Sequence, residues 1–564
     1  MNLTNGRYPA VADLERFLGD PRQPGTPFSY RDIVESEETG RFPEGTVPML
    51  RTWGFQDFLV PGEHGGRLRS LEELFLLTRV VSQRNVAVSV RLGSTFLGGL
   101  PAWLWGSGAQ RETLAREILG GRPTSMAISE AAHGSDFNSN EAVAMARRQR
   151  HESPLPHGVR AYGEELLAGS GRQGGVGSGA LGQPPARQDG RVPGPREGTG
   201  LGQSLKMMQI TRALVPALSI GTMDATVRIA LAYAHERHLY GGPIYALPVI
   251  REQVLKAHLD VLISECVMTA VTRSLSIAPG RLSLRCAIVK YFVPVVAEEV
   301  VAGMAGVLGA RSWLREGAAD GVFQKLQRDH AIASIFEGTT HVNLNSVSHQ
   351  LPFILADDVR RPGEPERTEV LSALFSLTEE APAWTPDATR LQLSNEGQDE
   401  ITHAWEWIKR QVADLCTGPV QRDLREVVAE LDSTRRRCYA RLDDAQGSRS
   451  TRAMAVAKDH CVLHAAASCL LSWLCNREAL GGAFAAGHWL VLCLHRLLQR
   501  FAPGRELPET HLAVLEETIL RSLHEDTPFS LAGLAEGRET PHIECARGAL
   551  DIHLRPIVAR DTVG

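Results

Sequence analysis

Apolar residues recur at helical spacing along most of this chain. The clearest case near the N-terminus is a helix predicted from Arg67 to about Gln83, where apolar positions repeat every three or four residues and Ser70 and Glu73 are spaced as a capping box. Two further helices are predicted after it, at Val86–Trp105 and Gln110–Leu119. Residues 1–137 are therefore expected to form a helical N-terminal domain.

The next segment, 138–205, has a different composition. Between His151 and Leu205 there are 14 glycines and 6 prolines in 55 residues, and Tyr162 is the one aromatic residue. This stretch lacks the alternating apolar pattern of a strand, so a packed sheet is hard to build from it. We expect a truncated, loop-rich middle segment.

Helical spacing returns at Lys206 and continues to residue 352. Four stretches in this region, 206–352, have the lengths typical of a four-helix bundle. They are roughly 206–239, 246–277, 284–310 and 322–351. Pro216 and Gly221 lie within the first stretch, where they are expected to kink the helix or displace its start.

A polar segment with several prolines follows at 353–395, and we interpret it as a linker. Beyond it, helical patterns indicate an additional helical domain at 396–564. Its predicted helices are 397–417, 420–445, 450–476, 480–501 and 508–525. The fold class expected from all these patterns is mainly α.

Charge and composition exclude several classes of function. A formal net charge of −5, from 60 basic and 65 acidic residues, leaves no excess of positive charge for a phosphate backbone, so nucleic acid is not expected as a partner. The first residues lack the basic and then apolar arrangement of a secretory signal, and no window has the roughly 18 uncharged apolar residues of a spanning helix. We expect a cytoplasmic protein.

The nine cysteines form no C-x-x-C pair, and their odd number does not suggest a disulfide framework. We expect reduced thiols that are mostly buried in helices. Cys461, His464, Cys469 and Cys475 could be drawn as a metal cluster, but their irregular spacing on an apolar helix favours packing. No metal site is predicted.

Four separated strings carry a family resemblance, and they occur in the family's order. They are FPEGTVPMLRTWGFQDFLVPGEHGG from Phe42, MAISEAAHGSDF from Met126, ERHLYGGPI from Glu236 and SIFEGTTHVN from Ser334. They resemble motifs of the acyl-CoA dehydrogenases, flavin enzymes that desaturate acyl thioesters. The resemblance covers roughly residues 40–140 and 205–352. It implies an acyl-CoA dehydrogenase-like N-terminal helical domain, a reduced middle β segment, a C-terminal four-helix bundle and an additional helical domain.

The resemblance implies that Glu337 is the catalytic base, since it stands where the family has its catalytic glutamate. The reaction needs a carboxylate that removes a proton alpha to the thioester while hydride leaves the beta carbon for the flavin. We expect Glu337 at the end of an apolar helical run that includes Ile332 and Ile335, where partial desolvation would raise its pKa. Without the family context, a surface glutamate at a helix end would be the simpler interpretation.

A subset of the family carries its base just before the arginine of the first bundle helix, where this chain has Thr211 and Arg212. A threonine cannot act as that carboxylate, so the sequence favours Glu337. Arg212 is then expected near the substrate, and Gly338 is expected to let the backbone approach the substrate closely.

The resemblance also implies FAD as the cofactor. The flavin contacts that it assigns are Met126, Ile128, Ser129, Gly134, Ser135, Arg237 and Thr339. In the family, the arginine at the position of Arg237 reaches the cofactor of a neighbouring subunit, which implies a homodimer or homotetramer. The expected substrate is an acyl thioester of coenzyme A or of an acyl-carrier protein, and the sequence identifies no electron acceptor.

Three alternatives stay open. The additional helical domain is similar to that of acyl-CoA oxidases, which let oxygen reach the reduced flavin. The chain has no tryptophan between Trp105 and Trp313 and so lacks the family's middle-domain "W-x-T" element, which would fit a catalytically inactive scaffold that has lost flavin binding. The abrupt change of composition around 151–200 would also fit a reading-frame or deletion artefact in the sequence.

Overall fold

The computed structural model describes residues 6–126, 200–356, 364–415, 418–443, 450–525 and 527–535. Helices dominate these ranges, as the sequence predicts. Among the described residues the strands are the two-residue β1 (His238–Leu239) and β2 (Gly242–Pro243), which pair antiparallel.

The N-terminal part contains six α-helices. They are α1 (Pro9–Leu18), α2 (Tyr30–Glu38), α3 (Thr46–Trp53), α4 (Leu71–Ser82), α5 (Val86–Trp105) and α6 (Gly108–Leu119). Helix α4 begins four residues later than predicted. Ser70 caps it by accepting the N–H of Glu72 at 3.1 Å rather than that of Glu73, so the expected capping box is replaced by a simpler N-cap.

The central part forms the predicted bundle from six helices. They are α7 (Gly200–Leu214), α8 (Pro216–Glu236), α9 (Pro248–Ile277), α10 (Leu282–Leu308), α11 (Val322–His330) and α12 (Thr340–Leu355). The expected effect of Pro216 is confirmed, because α7 ends just before it and α8 begins at it. Helix α10 lies at the centre and packs against α8, α9 and α12.

The prediction of one helix over 322–351 is wrong. Helix α11 ends at His330, a short 3₁₀ turn follows, and the backbone of Glu337 and Gly338 has φ of 57° and 94°. Two successive residues in the left-handed region cannot continue an α-helix. The break separates α11 from α12 and leaves a turn that carries Glu337.

The predicted linker also contains a helix, α13 (Glu364–Phe375). The side chains of Leu371, Leu374 and Phe375 are buried, and the helix packs against α9. The sequence analysis did not predict this helix because the segment is polar and contains prolines. Its burial depends on a partner helix that is distant in the chain.

The described ranges of the C-terminal part add eight helices. They are α14 (Glu400–His403), α15 (Trp405–Ala413), α16 (Pro419–Asp443), α17 (Thr451–Leu480), α18 (Gly482–Ala486), α19 (His488–Leu498), α20 (Glu509–His524) and α21 (Leu531–Ala535). Helix α17 packs against α9 and α12 of the bundle. A buried ion network joins the two parts, in which Arg285 of α10 contacts both Asp399 and Glu400.

Two helical stretches, Gly200–Glu236 and Pro279–Ser312, are long and apolar enough to cross a membrane by composition, with mean hydropathies of 1.3 and 1.6. Both stretches contain charged residues, among them Arg212 and Asp224 in the first and Lys290 and Glu298 in the second, so neither is an uncharged window of about 18 residues. In the most apolar windows of these stretches, 83% and 56% of the residues are buried inside the protein, as in the core helices of a bundle.

Candidate active site

Glu337 lies in a turn whose backbone is under strain. A non-glycine residue at φ 57° costs about 1 kcal/mol or more relative to the right-handed region, so its surroundings must hold it there. The next residue has to be glycine for two reasons. Its φ is 94°, and a Cβ on Gly338 would lie 2.9 Å from Nη2 of Arg212.

Side chains from three bundle helices hold the carbonyl groups of this turn. Nε of Arg212 donates to the carbonyl oxygen of Glu337 at 2.8 Å. Nδ2 of Asn343 donates to the carbonyl oxygen of Gly338 at 2.8 Å, and Nζ of Lys290 donates to that of Ala333 at 2.6 Å. The turn is therefore held from α7, α12 and α10, which explains how the strained conformation persists.

The Glu337 carboxylate accepts a hydrogen bond at Oε2 from Oγ1 of Thr211, at 2.7 Å. Burial raises the pKa of Glu337 above its usual value, and the Thr211 hydroxyl, Lys290 and Arg212 act in the opposite direction. Burial is the larger effect. A carboxylate whose pKa lies nearer neutrality is a stronger proton acceptor at working pH than an exposed one.

A cleft between α4, α5, the start of α8 and the Glu337 turn opens beside this carboxylate. Its lining is mostly apolar: Phe55, Leu59, Leu74, Thr78, Ser89, Val90, Gly93, Ser94, Phe96, Leu97, Thr211, Leu214, Val215, Leu218, Phe336 and Glu337. The hydroxyls of Thr78 and Ser94 donate to carbonyl groups of their own helices. The cleft therefore suits a hydrocarbon chain that ends near one partly buried acid.

The surroundings of Glu337 differ from the predicted ones. Ile332 and Ile335 were expected to bury the carboxylate, but their side chains are 40% and 58% exposed. The cause is the break after α11, which turns residues 331–335 out of the helical path. Desolvation of Glu337 comes instead from its position in the cleft, between Phe336 and the α7–α8 junction.

Arg212 and Gly338, the other predicted substrate residues, both adjoin Glu337 but are not among the residues that line the cleft. Among the predicted flavin contacts, Thr339 caps α12, with its hydroxyl accepting the N–H of Val342 at 3.4 Å. Met126 is half-buried against the core. Ile128, Ser129, Gly134 and Ser135 lie outside the described residues.

The chain that leads to this predicted flavin loop crosses α5 beside the cleft. A Cβ on Gly98 would lie only 2.6 Å from the backbone nitrogen of Ser125, so the two backbones pass at close range. Gly98 follows Leu97, which lines the cleft. Ser125, next to the last described residue before this predicted loop, therefore lies against the helix that forms one wall of the cleft.

Arg237 is not brought to this site. It is exposed at the C-terminal end of α8, separated from Arg212 by roughly 35 Å of nearly continuous helix. Beside it, the side chain of Tyr240 is 91% exposed at φ 54°. Within one chain, Arg237 and Glu337 cannot contact the same part of a cofactor.

Sequence reasoning missed Lys290, whose side chain is fully buried in α10 beside the Glu337 turn. Burial lowers the pKa of Lys290 to about 8, against the opposing effect of Glu337. The available signal was a single lysine within the apolar run CAIVKYFVPVV. A charged residue in the middle of a core helix needs a partner, and here the partners are carbonyl groups of the turn.

The described ranges contain no group of three or more His, Cys, Asp or Glu side chains arranged to hold a metal ion. The seven described cysteines are free thiols, and six of them are buried, in line with the expected packing role.

A family model for the acyl-CoA dehydrogenase C-terminal domain matches residues 198–351, which include Thr211, Lys290 and Glu337. This chain carries an acyl-CoA dehydrogenase C-terminal domain. The recognition made from four short motifs is thus confirmed, and at the level of the family so is the prediction of an FAD-dependent oxidoreductase.

Named relatives of this acyl-CoA dehydrogenase-like chain are oxidoreductases. A probable acyl-CoA dehydrogenase of Mycobacterium tuberculosis is 22% identical over 357 residues, which is 56% of this chain and 90% of the relative. A 3-(aryl)acrylate reductase of Clostridium sporogenes is 20% identical over 361 residues, which is 56% of this chain and 92% of the relative.

The fold is also similar to a solved one. The crystal structure of an acyl-CoA dehydrogenase from Bacillus anthracis, complexed with FAD, has a TM-score of 0.54 and 15% identity. The match covers 92% of this chain and 95% of that one, so the shared fold includes most of the additional C-terminal helices.

Proposed function

We propose that this chain is an FAD-dependent dehydrogenase that introduces a double bond between the α and β carbons of an acyl thioester. One observation carries the proposal: the partly buried carboxylate of Glu337 lies at a cleft with an apolar lining, and its pKa is raised. An apolar cleft with one acid at its end suits an acyl chain whose α carbon lies against that acid.

In this mechanism Glu337 removes the proton from the α carbon, and the C–H electron pair becomes part of the new double bond. Thr211 orients the carboxylate through its hydroxyl group. Arg212 keeps the turn in place through the Glu337 carbonyl group. The apolar lining excludes water, which favours proton transfer to a partly desolvated carboxylate.

FAD, when bound, supplies the acceptor for the hydride that leaves the β carbon. The described residues fit such a group on two observations. A Cβ at Gly93, on the wall of the cleft, would have no atom within 4 Å, so space is open there. Thr339 offers a hydroxyl group one residue beyond Gly338.

We further propose that the chain forms a homodimer or homotetramer. The support is the position of Arg237, exposed and roughly 35 Å along the helix from Arg212. An arginine there can serve a cofactor of a second copy but not that of its own chain. We also propose a cytoplasmic location, which the free thiols of the described cysteines support.

The test is spectroscopic. The purified protein, incubated with FAD and passed through a desalting column, should stay yellow and should lose its flavin absorbance when acyl-CoA is added without oxygen. A series of acyl-CoA and acyl-carrier-protein thioesters identifies the carrier. A protein that stays colourless after incubation with FAD contradicts the proposal, and hydrogen peroxide released under air identifies an oxidase.

A further inference from the structure

Helix α10 carries a fully buried lysine for which the mechanism above has no use. Lys290 is 0% exposed and has Val289 and Tyr291 as neighbours in the chain. Taking an ammonium group out of water costs several kcal/mol unless hydrogen bonds and an opposite charge compensate for it. A fold that keeps such a group in its core therefore has to surround it with acceptors.

The acceptors are on both sides of Glu337. Nζ of Lys290 donates to the carbonyl oxygen of Ala333 at 2.6 Å and lies 3.4 Å from that of Gly338. The same ammonium lies 5.5 Å from the centre of the Phe336 ring, at cation–π range. The Lys290 side chain thus contacts Ala333, Phe336 and Gly338, which lie on both sides of Glu337 in the chain.

The charges around Lys290 single out Glu337. Arg212 of α7 is a second cation near it. His330 of α11 also faces it, but burial and Lys290 lower the pKa of His330 to about 4, so this imidazole is neutral at working pH. Its Nε2 lies 2.9 Å from Oγ of Ser219. Glu337 is the acid near Lys290. Its negative charge raises the pKa of Lys290, against the lowering effect of burial.

We propose that Lys290 is a positioning residue: it fastens the strained turn at both ends and keeps the Glu337 carboxylate ionised in a site whose burial favours the neutral acid. The proposal rests on the role of Glu337 as the base. Lys290 lies behind the turn and is not among the residues that line the cleft, so it acts through Glu337 rather than on substrate.

The electrostatic effect has a defined sign. A nearby cation lowers the pKa of a carboxylate, and burial raises it. Burial raises the pKa of Glu337, and the charge of Lys290 is one of the interactions that lower it. Replacing Lys290 by an uncharged side chain removes this interaction, so the pKa of Glu337 must rise. A residue that only filled space would change stability without moving this pKa.

The experiment is an infrared difference titration of the full-length chain as purified. The carboxyl band of Glu337 is identified as the band that disappears in Glu337→Gln. In Lys290→Met, which keeps the volume of the side chain, we expect the titration midpoint of that band to move up by about one pH unit. Lys290→Gln also lacks the charge and should shift the midpoint in the same direction, and it serves as the second variant if Lys290→Met does not fold.

Lys206→Met is the matched control. Nζ of Lys206 also donates to a backbone carbonyl, that of Ala388 at 3.2 Å, which does not belong to the Glu337 turn. The midpoint should stay unchanged in this variant. An unchanged midpoint in a folded Lys290→Met or Lys290→Gln protein would overturn the proposal, whatever happens to stability.

The result is separable from the proposed function. The titration does not require turnover. If the midpoint shifts upward but the protein does not oxidise acyl thioesters, the proposed dehydrogenation is contradicted. The coupling of Lys290 to Glu337 is still supported. In an active protein, the acid limb of the kcat/KM profile should move by the same amount as the infrared midpoint.

Discussion

Oγ1 of Thr211 lies 2.7 Å from Oε2 of Glu337, although 126 positions separate the two residues in the sequence. The contact joins the end of α7 to the turn before α12. The family resemblance gives two alternative positions for the catalytic carboxylate, and in this chain they hold Thr211 and Glu337. The contact shows that these two positions are neighbours in space. The hydroxyl group donates to the carboxylate that we propose as the base.

Thr211→Val should move the acid limb of kcat/KM to higher pH. The Thr211 hydroxyl lowers the pKa of Glu337 against the larger effect of burial, so its loss raises that pKa. A shift of about 0.5 to 1 pH unit corresponds to one hydrogen bond to a charged group. Below the new pKa, activity falls because more of Glu337 is protonated, while activity well above it changes less.

Thr211→Ser is the control for this change, since serine keeps the hydroxyl group and loses one methyl group. Its pH profile should stay near that of the wild type. Equal shifts in the valine and serine variants would mean that packing, and not the hydrogen bond, controls the base.

Gly93→Leu should shorten the range of acyl chains that the cleft accepts. A Cβ at this position meets nothing within 4 Å, and Gly93 lines the cleft, so the side chain of a leucine starts in open space and occupies part of the cleft. Leucine also has a higher helix propensity than glycine by up to about 1 kcal/mol, so stability should not fall. We expect kcat/KM to fall by about tenfold or more for long acyl-CoA substrates and to change little for short ones.

Gly202→Leu is the matched control, because Gly202 is helical, also has open space at its Cβ position, and is not among the residues that line the cleft. A similar loss with all chain lengths in Gly93→Leu would indicate damage to the fold and not occupation of the acyl space.

Asp399→Asn should destabilise the contact between the bundle and the C-terminal helices. Oδ1 of Asp399 lies 2.9 Å from Nε of Arg285, and both side chains are fully buried. The substitution keeps the shape but leaves Arg285 with Glu400 alone, and breaking a buried pair in this way costs about 3 kcal/mol or more. Urea unfolding measures the loss, and Asp387→Asn, at a half-buried aspartate outside this ion network, should cost less than about 1 kcal/mol.

The same carboxylate predicts a pH dependence of stability. Burial acts to raise its pKa, but Arg285 and His464 hold the pKa of Asp399 well below its usual range. A depressed pKa contributes stability that is present above the unfolded value of about 3.9 and is lost as pH falls towards the folded one. Wild-type stability should therefore fall more steeply between about pH 5 and pH 2 than that of Asp399→Asn.

Local patterns were sufficient to predict most of the fold. The helix ends at Ser82, Trp105 and Leu119 and the interruption at Pro216 follow from spacing, glycines and a proline, which act over a few residues. The family resemblance predicted Arg212 near the active site, and its guanidinium group donates to the carbonyl oxygen of Glu337.

The features that sequence reasoning missed depend on distant contacts. Periodicity over 322–351 favoured one helix, because nothing local reveals that Lys290, Arg212 and Asn343 stabilise a left-handed turn at Glu337. Helix α13 was assigned to a linker for the same reason, since its apolar face is buried by the distant α9.

The most direct test compares Glu337→Gln with Glu298→Gln by stopped-flow absorbance. The exposed Glu298 accepts a hydrogen bond from Ser334 at the start of the same turn, so it is a neighbouring carboxylate outside the cleft. We predict that both variants bind FAD like the wild type, that acyl-CoA bleaches the flavin normally in Glu298→Gln, and that Glu337→Gln slows bleaching by about 100-fold or more. Bleaching within tenfold of the wild-type rate in a folded, FAD-loaded Glu337→Gln protein would contradict the assignment of the base.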